Sequence, residues 1–60
     1  MKQSELKRRL TANGCYKIDE GANHEKWFSP KTNKVFVVGR HNSEEVRTKT
    51  LHTILKAAGI

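Results

Sequence analysis

Apolar residues recur along this chain with two different periods. Leu6 and Leu10 stand four apart while Lys7, Arg8 and Arg9 fall off that line, which predicts a helix from Ser4 to about Asn13 with one narrow apolar stripe. Ser4 is the expected N-cap, Glu5 suits the first turn of the helix dipole, and Gly14 is the expected stop. The period then changes to two. Tyr16 and Ile18 alternate with Lys17 and Asp19, predicting a short half-buried strand over Cys15 to Asp19. Gly21-Ala22-Asn23 reads as a turn running into a second strand that ends near Ser29. In that strand His24, Lys26 and Phe28 share one face, and Glu25 and Trp27 the other. Ser29 to Asn33 is dense in turn residues, and Pro30 has no place inside a paired strand.

The unbroken run Val35-Phe36-Val37-Val38 predicts a third strand, central and best buried, ended by Gly39. Arg40 to Ser43 is a polar connector. A closing helix is expected from about Arg47 to Ala58, with Leu51, Ile54, Leu55 and Ala58 on one face, Gly59 as its stop and Ile60 packing back. The predicted class is α+β in the order α-β-β-β-α: a three-stranded antiparallel sheet with both helices on one face. The other face is left open to water or a partner.

Length and charge narrow the function. Sixty residues make one domain, residues 1–60, that buries only about 60% of its unfolded surface, so an enclosed substrate pocket is not expected. Twelve Lys and Arg against six Asp and Glu give a net charge of +6, which points to a polyanion, most naturally nucleic acid. The single cysteine, Cys15, excludes an internal disulfide framework, favours a reducing cytoplasm and reads as a small core residue. No apolar run follows Met1-Lys2-Gln3-Ser4, and no stretch is long enough to span a membrane. The chain has no repeat, low-complexity tract or linker.

The candidate chemistry centres on His24 beside Lys26: an imidazole that exchanges protons near neutral pH next to a fixed positive charge, as a phosphodiester substrate requires. Lys26 is the leading phosphate contact. Lys7, Arg8 and Arg9, which with Lys2 make the first helix densely positive, are further candidate RNA-binding residues. Phe28 either stacks on a base or covers the sheet, and Trp27 on the opposite face reads as core. His41 reads as a connector residue, and His52 as a solvated or structural residue of the last helix. No pair among Cys15, His24, His41 and His52 has a short metal-ligand spacing, so neither a metal nor another cofactor is expected.

Several of these stretches together resemble the HicA toxin family. They are a first helix ending in Asn13-Gly14, Gly21-Ala22-Asn23-His24 before the second strand, Arg40-His41 after the third, and the closing Thr50-Leu51, Ile54-Leu55-Lys56 and Ala58-Gly59-Ile60. The resemblance spans nearly the whole chain. It implies a bacterial or phage messenger-RNA interferase with a double-stranded-RNA-binding-like fold, neutralised by a HicB antitoxin, and it puts His24 on the family's catalytic histidine. Two departures stand out. Ala22-Asn23 intervene where a serine usually separates glycine from histidine, and Asn42 stands where a proline often follows the position of His41. The implied mechanism needs no metal: RNA supplies its 2′-OH as nucleophile, neutral His24 takes the proton, and Lys26 or a nearby arginine stabilises the charge on phosphorus. Either water or His41, if the connector returns to the site, serves as the acid. The antitoxin is expected to cover the open face and His24. Two other classes share the pattern: a non-catalytic RNA-binding module, and an interaction protein that pairs through its open sheet face.

Overall fold

A computed structural model describes all 60 residues. The chain runs α1 (Gln3–Ala12), β1 (Tyr16–Glu20), β2 (His24–Ser29), β3 (Lys34–Gly39) and α2 (Thr48–Ala58). This is the expected α-β-β-β-α order. The strands form one antiparallel meander, β1-β2-β3. No helix is long and apolar enough to cross a membrane.

The central strand is β2, which corrects the expectation for Val35–Val38. Two short connections in succession lay each strand beside its predecessor, so the middle strand in sequence is the middle one in space. β3 is therefore an edge. Phe36 and Val38 are buried, whereas Val35 and Val37 stay 54% and 50% exposed. Residues paired directly across the ladder share a face, and Trp27 pairs with Phe36 and Glu25 with Val38. Trp27, Phe36 and Val38 join Leu6 and Leu10 of α1, Ile54 and Ala58 of α2, Cys15 and Val46 in one core. Both helices thus cover the same sheet face, with Leu51, Leu55 and Ile60 at the core's margin.

β1 is not half-buried. Every residue in it is exposed, including Tyr16 and Ile18. α2 lies over β2 and β3 rather than this edge, and the register of β1 slips between Lys17 and Asp19. The buried contact comes instead from Cys15, one residue before the strand.

α1 begins at Gln3, with Lys2 rather than Ser4 at the cap. Its first amides need no serine hydroxyl because carbonyls of the β3–α2 connector accept them. Gln3 N–H donates to Glu44 O at 2.9 Å and Ser4 N–H to Asn42 O at 3.1 Å. α2 ends at Gly59 in the left-handed region, φ +77°. The carbonyls of Ala57 and Ala58 in its last turn accept the hydroxyls of Thr32 and Ser29, the latter at 2.7 Å. The negative end of α2 is thereby tied to β2 and the β2–β3 turn.

Candidate active site

His24 opens β2 and is exposed. The turn before it is fixed from two sides. Gly21 N–H donates to His24 O at 2.7 Å, closing the turn on itself. Arg40, just beyond β3, donates from its backbone N–H to Asn23 O at 3.1 Å. Its guanidinium reaches Gly21 O at 3.1 Å and Ala22 O at 3.4 Å. A short polar turn that sequence alone leaves loose is thus clamped against the opposite strand end, and it presents His24 in a fixed place.

His24 stands on the rim between two hollows. One, of about 590 Å³, brings it together with His41, Arg47, Glu44, Gln3 and Thr50. The other, of about 330 Å³, adds Lys26, Asp19, Glu20 and Val37. In the first, Gly39 stands opposite His24 in the ladder, and the Gln3 amide fills the space its side chain would take. A Cβ there would stand 2.7 Å from Gln3 Nε2. Gln3 Oε1 is buried and accepts no hydrogen bond. No group of three His, Cys, Asp or Glu side chains lies close enough to hold a metal ion.

The predicted site residues separate in space. His24, Lys26 and Phe28 share the open face, and Trp27 is buried at 6% exposure on the other. His41 joins His24, and His52 lies exposed in the middle of α2, outside both hollows. Arg8 and Arg9 are exposed on α1, on the helical side of the sheet. Lys7 is turned inward. Its ammonium lies 3.3 Å from Glu25 Oε1 and donates to Asn42 Oδ1 at 2.6 Å and Arg40 O at 3.1 Å. Glu25, buried on the helical face, also accepts from Trp27 Nε1 at 3.0 Å.

The open face is less basic than the charge count suggests. Lys17 pairs with Trp27 and Lys34 with Ser29, so both lysines fall on the helical side, and of the strand lysines only Lys26 faces outward. Beside it the face is apolar. Tyr16 and Phe28 pack at 5.6 Å between ring centroids, tilted by 54°, with Val35 and Val37 across from Phe28 and Lys26.

Two titrating groups depart from their usual range, both at the exposed end of β1. Glu20 accepts a hydrogen bond from Lys17 Nζ at 2.8 Å. That bond, then the lysine's charge, then Arg40, holds the Glu20 carboxyl below the usual carboxylate range. The same bond and charge raise Lys17.

Sequence reasoning missed Arg47, Gln3 and the Lys7–Glu25 pair. Only the last had a visible signal: a glutamate alternating with a buried tryptophan needs a partner, and Lys7 flanks the Leu6–Leu10 stripe.

A solvent-facing histidine between open hollows, on a basic α-β-β-β-α frame, defines a class of small α+β domains that work on their surface rather than in an enclosed pocket. The chain belongs to the HicA toxin family: the family model for the HicA toxin of bacterial toxin–antitoxin systems matches residues 4–60. Membership makes it the toxin member of such a system and implies a HicB antitoxin as partner. No curated protein and no solved structure matches the chain.

Proposed function

We propose that this toxin is a ribonuclease that cuts messenger RNA without a metal ion, with His24 as general base. The observation that carries this is the placement of His24: exposed, on a clamped turn, between two open hollows, each lined by one basic side chain, Lys26 or Arg47, beside two carboxylates. RNA brings its own nucleophile, so the protein needs only a base, charge stabilisation and orientation. Neutral His24 takes the 2′-OH proton. Lys26 on one side and Arg47 on the other stabilise the charge that develops on phosphorus. Phe28, four residues along β2, stands about 13 Å from His24 at the usual strand rise, where it and Tyr16 offer a face to a neighbouring base. Arg8 and Arg9 reach only an RNA long enough to pass round the sheet, and Lys7 is a structural cation.

A HicB-like antitoxin would inhibit by covering the open face and His24. The apolar side chains there suit a protein partner, since Tyr16, Val35 and Val37 are each half exposed.

Purified RNA should be cleaved in excess chelator, and DNA, lacking the 2′-OH, should bind uncut. His24→Ala should fold normally, with stability within about 0.5 kcal/mol because the ring is exposed. It should lose roughly 10²–10⁴-fold in cleavage rate, and growth arrest on expression should go with it. A folded His24→Ala protein that still cuts RNA overturns the assignment of His24 as the base, whereas a wild-type protein that binds RNA and never cuts it favours a non-catalytic RNA-binding module. Activity lost in chelator and restored by magnesium overturns the metal-independent mechanism.

A further inference from the structure

We propose that His41 is the second catalytic residue, the general acid that protonates the departing 5′ oxygen. That role presupposes the ribonuclease activity proposed above. Three observations lead to it.

His41 and His24 line the same hollow. His24 pairs with Gly39, two residues before His41, so the two α-carbons stand within roughly 12 Å, a gap two imidazoles can close on one phosphate.

The connector carrying His41 is held on both sides of it. Before it, Arg40 O accepts from Lys7 Nζ at 3.1 Å, and Arg40 N–H is bonded to Asn23 O. After it, Asn42 Oδ1 accepts from the same ammonium at 2.6 Å, and Asn42 O accepts from Ser4 N–H at 3.1 Å. His41 O accepts from Glu44 N–H at 3.1 Å.

Against this fixed backbone, the imidazole itself is exposed and makes no hydrogen bond within the protein, as is also true of His24. A histidine serving only to brace the connector would use its ring for bonding. Here Lys7 and backbone amides do the bracing, and the ring is left free over the hollow.

The reaction balances with these two groups. His24 removes the proton of the 2′-OH, and that oxygen bonds to phosphorus. The bond from phosphorus to the 5′ oxygen breaks, and the His41 imidazolium gives that oxygen its proton. The products are a 2′,3′-cyclic phosphate and a free 5′-OH. His24 is then protonated and His41 neutral, and exchange with water restores both. The charged groups around His41 are Glu44 and Glu45 of the connector, Arg47 at the start of α2, His24 of β2, and Lys7 of α1, which is turned toward Glu25.

The test compares a natural RNA oligonucleotide with one whose scissile 5′-bridging oxygen is sulfur, a leaving group that departs without a proton. On natural RNA His41→Ala should be at least 10²-fold slower than wild type, and its rate–pH profile should lose the limb on which the acid deprotonates. On the sulfur substrate it should approach the wild-type rate, whereas His24→Ala should be slow on both. His41→Gln, which keeps a polar side chain of similar reach, should behave as His41→Ala does and guards against a folding defect. Full activity of either His41 variant on natural RNA, or an equal loss on both substrates, overturns the acid role while leaving the ribonuclease standing. Failure of the wild type on both substrates overturns the ribonuclease itself, and the role of His41 with it.

Discussion

Lys7 and Glu25 meet at 3.3 Å with 14% and 8% of their side chains exposed. At such burial an ion pair contributes little relative to an apolar pair of the same shape, but removing one partner strands the other charge. Lys7→Met should therefore destabilise the domain by about 3–5 kcal/mol, a large share of what a chain of this size possesses. Adding Glu25→Gln, which removes the stranded charge and keeps an acceptor for Trp27, should recover most of the loss. Urea unfolding of the three variants decides it; a loss no greater in Lys7→Met than in the double variant would show the pair to be solvated. The single change should also impair cleavage, because the same ammonium anchors Arg40 and Asn42 on either side of His41. In the sequence only the need of Glu25 for a partner was legible, not which residue would meet it. Lys7 counted as one basic residue among several, and the groups that turn it inward lie 33 and 35 residues further along. His24 was legible, because a turn signal and strand parity are local.

Element by element, helix and strand positions followed from periodicity to within a residue or two, while burial did not. An unbroken β-branched run signals a strand buried on both faces only where both faces are covered. In β3 one face is bare, so Val35 and Val37 are exposed, and their number in the sequence says nothing of that. Likewise the alternation in β1 is real, but α2 lies over β2 and β3 rather than that edge. The end of α2 gives a direct test of packing against conformation. Gly59 and Gly14 both have positive φ, +77° and +89°. An added Cβ at Gly59 would stand 2.7 Å from Thr32 Cγ2, whereas at Gly14 nothing lies within 4 Å. Gly14→Ala should cost only the conformational part, about 1–2 kcal/mol, and Gly59→Ala more. At roughly 4–8 °C per kcal/mol for so small a domain, thermal melts should separate the two. Equal shifts would mean that the Thr32 contact yields freely.

For the whole molecule, the proposed ribonuclease would owe the strength of its RNA binding to the +6 charge, and the distribution of that charge would set where RNA lies. Affinity should fall steeply with salt. Lys26→Glu should weaken binding of a short RNA and flatten the salt slope by about one unit, as expected for a lost phosphate contact. Arg8→Glu with Arg9→Glu should leave a short RNA nearly unaffected and weaken only longer ones, because α1 lies across the sheet from Lys26. A short RNA more sensitive to the arginines than to Lys26 would move the binding surface to the helical side. His24→Ala should leave affinity almost unchanged. An antitoxin covering the open face should compete with RNA and bury His24. A complex that abolishes cleavage while leaving His24 exposed would instead point to inhibition at a distance.

The bonds that tie α1 to the β3–α2 connector also bear on the order in which the molecule assembles. The meander and α2 join neighbours along the chain, contacts that close quickly. The ties from Lys2 and Lys7 to Arg40, Asn42 and Ser43 close loops of 33 to 41 residues. Loop-closure entropy places such contacts late in folding and makes them early candidates for local opening. A chain with its sheet formed and α1 still undocked would expose His24 beside an unanchored His41, folded by most measures yet unable to cut. The toxin's activity would thus report the docking of its first helix, not the formation of its sheet.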